Sequence, residues 1–261
     1  MAEILCRINS DFYRNHGDSF SETRGGPWHG WERCLSLAGL GEKEGGAFSG
    51  SHGKLSVLDL ACGNLRFARY LSARMLQTAL DYYAFDNADA LVLPQLSGKS
   101  WICYRNLDIM DVLLREASLD TCLVAPPCDL AVCFGFMHHV PLAKYREELL
   151  ASLVTQVCEG GFVFVSFWQF LENPTLARKA QKAHRAALED LGIEGLAEAL
   201  GENDFLLDWK GVPGAWRYCH SFTEAEIDSL VASLAGKARV VDRFNSDGRS
   251  GDLNSYLVLQ H

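Results

Sequence analysis

Short apolar runs and longer amphipathic stretches take turns through the middle of this chain. The runs at 55–60, 79–85, 101–107, 129–134 and 162–167 have the length and apolar content of buried parallel strands. Between them the apolar positions shift to helical spacing. Leu65, Phe67, Ala68 and Leu71 mark a helix to about residue 76, and a short helix covers 88–96. Tyr145, Leu149, Leu153 and Val157 share one face of a longer helix, which Glu159-Gly160-Gly161 is expected to stop. Upstream, Pro27 and Trp28 open a helix through Glu32, Leu35 and Leu37. Such alternation predicts a parallel sheet covered by helices on both faces.

The pattern breaks after the fifth run. Residues 171–222 are too long for one crossover and carry helical stretches at 174–191 and 193–200. Order resumes with a capping box, Thr223-Glu224-Ala225-Glu226, opening a helix to Leu234. Runs at 238–244 and 255–259, with only a polar turn between them, predict an antiparallel hairpin. The expectation is an α/β chain forming a single domain over 1–261. Its core is a Rossmann-like, seven-stranded, mostly parallel sheet with helices on both faces and a terminal antiparallel hairpin. Residues 1–40 are expected as an N-terminal cap segment and 171–222 as a helical insertion over the substrate site. Residues 41–54 read as a polar, glycine-rich connector.

Composition narrows the partners. A net charge of −9 moves weight away from a protein that grips phosphates and toward a small-molecule substrate. The basic run from Arg178 to Arg185 reads as a solvated helix face. Nine cysteines form no CxxC pair and sit mostly in apolar surroundings, so neither a metal site nor disulfides are expected. No apolar run reaches membrane-spanning length, and the first residues lack the apolar core of a signal peptide. The expected location is the cytoplasm.

Candidate chemistry gathers after the first strand. Asp59 is followed by the small turn Ala61-Cys62-Gly63-Asn64 and then by a helix, a unit that brings a ligand against backbone N–H groups. A dinucleotide fingerprint needs further glycines, and Leu65 stands where one would be. Asp86 closes the second strand, where a carboxylate can bridge ribose hydroxyls, and Asp108 closes the third, where it can accept from an exocyclic amine. A rim of strand-end carboxylates suits a cationic nucleoside better than an anionic dinucleotide.

Asp59-Leu60-Ala61-Cys62-Gly63-Asn64, Asp86 and Asp108-Ile109 resemble the motifs of the class I S-adenosylmethionine (SAM)-dependent methyltransferases. The resemblance covers roughly 55–170 and 223–261. It implies that Asp59, Ala61, Gly63 and Asn64 hold the methionine end of SAM. Asp86 and Asn87 would hold the ribose and Asp108 and Ile109 the adenine, while Phe134-Gly135-Phe136 would line the methyl-donor site. Leu65 departs from the usual glycine. A narrower set is similar to the tRNA wobble-uridine carboxymethyl methyltransferases, in which a carboxylate is esterified. It comprises Phe12-Tyr13, Phe20-Ser21, Thr23-Arg24, Pro27-Trp28, Cys62-Gly63-Asn64 and Arg217-Tyr218-Cys219-His220-Ser221-Phe222. No separate RNA-binding domain is visible.

The candidates for handling the acceptor follow from position. His139, after the fourth strand, is the expected group at the reaction edge; His138 beside it reads as structural. Arg24 and Arg217 are expected to place the acceptor, since guanidinium forks suit carboxylates and phosphates. Tyr13, Trp28, Trp168 and His220 are candidate substrate contacts. The expected activity is methyl transfer from SAM to an O or N acceptor, on a carboxylate or other small molecule. Alternatives are a tRNA wobble-uridine acceptor, a nicotinamide-dependent oxidoreductase and a non-catalytic SAM-binding protein.

Overall fold

The apolar runs do pair side by side. A computed structural model describes residues 1–23, 25–40 and 53–261; Arg24 and nearly all of the 41–54 connector lie outside them. Among the described residues the strands are β1 (Lys54–Leu60), β2 (Ala79–Asp86), β3 (Ile102–Asn106), β4 (Cys128–Cys133), β5 (Val157–Trp168), β6 (Asp204–Asp208), β7 (Trp216–His220), β8 (Arg239–Ser246) and β9 (Asn254–Gln260). Seven form one sheet in the order β3-β2-β1-β4-β5-β9-β8, parallel from β3 to β5, with β9 and β8 antiparallel. The chain order reverses between β1 and β4. Open α/β sheets bind ligands beyond the strand ends at such a point.

Both faces of this sheet are buried, which explains why its strands read as unbroken apolar runs. On one side Leu58, Leu60, Ala131, Cys133, Val163 and Val165 pack under α5 (Ile109–Leu114), α7 (Ala143–Thr155) and α10 (Glu224–Ser233). On the other, Val57, Leu130, Val132 and Phe164 meet α2 (His29–Leu37) and α3 (Arg66–Arg74). The expected capping box is present, with Thr223 Oγ1 accepting from Glu226 N and the Glu226 carboxylate accepting from Thr223 N.

Two expectations needed correction. Glu159-Gly160-Gly161 does not end α7, which stops at Thr155; it lies inside β5, where the register against β4 shifts. A Cβ on Gly161 would sit 2.9 Å from the Cys158 carbonyl oxygen, so glycine is required by the close approach of backbone there. The 171–222 insertion is not purely helical. It holds α8 (Pro174–Leu191) and the one-turn α9 (Leu196–Ala199), then the separate antiparallel pair β6–β7. Ahead of α2, where no element was predicted, residues Ala2–Glu22 form one long helix, α1, that packs against β7, α5 and the short α4 (Asp89–Val92). No described helix is long and apolar enough to cross a membrane.

Candidate functional site

Beyond the carboxyl ends of β1, β2 and β4 lies a cavity of about 990 Å³. All eleven residues expected to touch the cofactor line it: Asp59, Ala61, Gly63, Asn64, Asp86, Asn87, Asp108, Ile109, Phe134, Gly135 and Phe136. The turn after β1 is pinned to the end of β2 by its own amides. Ala61 N donates to Phe85 O at 2.8 Å and Gly63 N to Asp86 Oδ2 at 2.7 Å. Ala61, Gly63 and Leu65 all adopt left-handed backbone, with φ of 61°, 52° and 56°. A non-glycine residue there is strained by about 1–2 kcal/mol. The fully buried Leu65 side chain offsets this with roughly 1.5–3 kcal/mol of burial. Leu65 therefore takes up the left-handed backbone that a glycine would adopt freely.

The carboxylates on this edge differ in state. Asp59 is buried and accepts from the Tyr82 hydroxyl at 2.5 Å. Desolvation pushes its pKa up to about 7, against the smaller opposing pull of the Tyr82 hydrogen bond. Burial also raises Asp86, although backbone N–H groups of Gly63 and Ala88 donate to its two oxygens. Asp108 caps α5 through Asp111 N and accepts from Asn87 Nδ2 at 2.9 Å. Gly135, at φ 72°, turns the chain beneath the Trp28 ring, where a Cβ would come within 3.0 Å of it. Trp28 in turn stacks into a cluster with Trp31, Phe67 and Phe134.

The opposite wall comes from α1 and the turn after β4. Tyr13 Oη lies 2.7 Å from His139 Nε2, and His139 Nδ1 lies 2.9 Å from the Tyr218 carbonyl oxygen. A carbonyl can only accept, so Nδ1 carries the proton and Nε2 accepts from the Tyr13 hydroxyl. Asn9 Nδ2, itself a donor, sits 3.3 Å from the same Nδ1 and makes no hydrogen bond to it in this tautomer. Asn9 instead secures α1 to β7, its Oδ1 accepting from Tyr218 N at 2.8 Å. Tyr13, Trp28, Trp168, His138 and His139 all line the cavity.

Two predicted residues are elsewhere. Arg217 is buried behind the wall, its guanidinium 5.0–6.0 Å from the rings of Phe12, Phe20, Trp168 and Trp209, of which Phe20 and Trp168 line the cavity. Among the described residues its Nε and Nη1 have no hydrogen-bond partner. His220 does not line the cavity. It is held between Asp204 Oδ1 at 2.7 Å and Glu226 Oε1 at 2.9 Å, next to buried Arg146, in a network tying the insertion to α7 and α10. Arg24 falls outside the described residues. His138, His139 and Cys219 bring possible metal-ligating atoms within 4.8 Å of one another, but both His139 nitrogens are engaged in the bonds just given. Sequence reasoning missed Asn9, Arg66 and Asp247 on the cavity wall. Of these, Arg66 had a signal: it directly follows the turn.

No family model matches this chain, and no curated protein does. Solved structures do. One similar structure is a SAM-dependent methyltransferase from Methanosarcina mazei, at 15% identity and TM-score 0.55, covering 79% of this chain and 92% of that one. The fold is that of the SAM-dependent methyltransferases. A SAM-bound amino pentose methyltransferase from Micromonospora echinaspora, involved in calicheamicin biosynthesis, aligns over 93% of this chain and 95% of its own at 13% identity and TM-score 0.52. An O-methyltransferase family protein from Burkholderia thailandensis aligns over 88% of this chain but 55% of its own, at 11% identity and TM-score 0.53. At such identities the likeness is one of fold. Residues of α1 and Leu176 of the insertion line the cavity at the carboxyl edge of this sheet.

Proposed function

We propose that this protein is a SAM-dependent methyltransferase whose acceptor carries a carboxylate. One observation carries the methyltransferase reading. The strand-end carboxylates Asp59, Asp86 and Asp108 open into the same cavity as the Tyr13–His139 pair. A dinucleotide would bring its pyrophosphate against that acidic rim, which disfavours it.

Bound SAM supplies an activated methyl group on a sulfonium. Asp59 would accept from its ammonium, Asp86 and Asn87 would face the ribose, and Asp108 and Ile109 the adenine. Phe134, Phe136 and Trp28 exclude water around the transferring methyl. Methyl transfer is an in-line displacement, so alignment is the main requirement, with an upper range of about 7–11 kcal/mol from positioning. A carboxylate acceptor has no proton to lose and needs no base. Tyr13, held by His139, would position it. Arg217 supports this acceptor class: a buried cation without an anion is costly, and an acidic ligand beyond Phe20 and Trp168 relieves it.

A small acceptor fits the acidic surface, and the amino pentose substrate of a structural neighbour shows that the fold admits one. A tRNA-borne carboxylate is the second reading. It is favoured by Arg178, Lys179, Lys182 and Arg185, exposed on α8 without carboxylate partners among the described residues. Turnover of SAM with carboxylic acids, their methyl esters and bulk tRNA decides. Acids alone as substrates support the first reading, tRNA alone the second, and turnover with the esters alone contradicts both.

A further inference from the structure

Arg66 opens α3 immediately after the cofactor turn and lines the cavity. Its guanidinium lies 5.0 Å from the Trp28 ring centroid and 5.5 Å from that of Trp31, and Nη1 donates to the Gly26 carbonyl at 3.2 Å. Among the described residues no other hydrogen bond holds it and no carboxylate reaches it within 4 Å, whereas Arg33, Arg74, Arg115 and Arg243 all have such partners. Burial pulls its pKa down, against the longer-range attraction of Asp247 and Asp59. Arg69, one turn on, is occupied by Asn64 O and Gln95 Oε1.

The arrangement has an unmet requirement. The two indoles take away part of the guanidinium's water, and the one bond to Gly26 O leaves most of its N–H groups without a described partner. Asp59, of opposite charge, faces the same cavity without closing on Arg66. A ligand carrying an ammonium and a carboxylate on one carbon satisfies both groups together.

We propose that Arg66 binds the α-carboxylate of SAM, so that Asp59 and Arg66 together select a zwitterionic amino-acid end. This rests on the cofactor reading above and adds a specificity residue that neither the motif nor the fold assigns. Decarboxylated SAM, which keeps the ammonium, would be discriminated against by Arg66 alone.

Three probes separate the possibilities by calorimetric titration: S-adenosylhomocysteine, its decarboxylated thiopropylamine analogue, and 5′-methylthioadenosine. The wild-type protein is expected to bind the first about tenfold or more tightly than the second, the scale of a charge-assisted contact in a desolvated site. Arg66→Met should erase that preference while leaving the other two affinities within about threefold, and Arg66→Lys should keep part of it. The inference is overturned if Arg66→Met binds S-adenosylhomocysteine as wild type does. Equal weakening of all three probes in a folded variant also overturns it, because Arg66 would then act only by bracing the tryptophans. If Arg66→Met does not fold, the wild-type comparison decides, and absence of a preference for the carboxylate overturns it. A wild-type protein that binds none of the probes brings down the cofactor reading, and this one with it.

Discussion

The Tyr13 hydroxyl donates to His139 Nε2 at 2.7 Å, joining the N-terminal helix to the turn after β4 across 126 positions of sequence. The proton on His139 Nδ1 is fixed by the Tyr218 carbonyl, so the insertion sets the state of a residue on the core sheet. Tyr13→Phe and His139→Gln are each expected to lower kcat about tenfold to a hundredfold, the scale of lost positioning at a reacting group. Affinity for SAM should change less than about threefold. Steady-state kinetics with a parallel SAM titration separates the two effects.

On the proposed function, Asp59 is expected to make SAM binding depend on pH. Burial raises its carboxyl to about 7, so below that pH the protein without cofactor holds it neutral. An ammonium ligand prefers the ionised form. Affinity should therefore fall as pH drops below 7, by up to tenfold per unit, and level off above it. Folding without ligand has the opposite sense. The folded state binds the extra proton between the ordinary value of 3.8 and about 7, so this group's contribution weakens as pH rises through that window. The thermal shift produced by SAM should thus be larger at pH 8 than at pH 6. Asp59→Asn should flatten both dependences.

Much of the sheet could be read from the chain, because strands buried on both faces leave uninterrupted apolar runs, as in Val163 and Phe164. The acidic edge of the cavity was legible for a related reason: Asp59 is the penultimate residue of such a run, and Asp86 and Asp108 each follow one. The β6–β7 hairpin was not, since Phe205-Leu206-Leu207 and Tyr218-Cys219 are too short to show a period. The α1 helix had its signal in Leu5, Phe12 and the positions between, but the polar residues on its cavity face, Asn9 and Tyr13, blurred it. His220 looked like a ligand contact because sequence does not reveal that Asp204 and Glu226 flank it. Leu65 looked like a broken motif because a side chain's burial, which holds its left-handed backbone, is a tertiary fact.

His220 should prove structural. His220→Gln is expected to destabilise by about 1–3 kcal/mol in denaturant unfolding, the cost of leaving buried partners unsatisfied, with SAM affinity unchanged. Its partner Asp204 gives the network an acid limit. Burial works to raise that carboxyl, but hydrogen bonds from His220 and Tyr218 outweigh it and hold the pKa at about 2. The stabilisation is complete above 3.8 and is lost as pH falls toward 2.

Gly30 is a packing requirement of α2. A Cβ there would run into the ring of Tyr256, which is fully buried, stacked on Phe244 and donating to Asp247 Oδ2 at 2.5 Å. Gly30→Ala should cost about 2 kcal/mol or more by denaturant unfolding. Ala61→Gly, at a left-handed position with φ 61°, should be neutral or stabilising by up to about 1 kcal/mol and should retain SAM binding.

The central claim is that the acidic strand-end rim holds a cationic adenosyl sulfonium. Calorimetric titration of the wild-type protein with SAM and, separately, with NADH tests it most directly. The account predicts one SAM bound per chain, weakened by Asp59→Asn, and no NADH binding at the same concentrations. Tight NADH binding with no heat from SAM would contradict it.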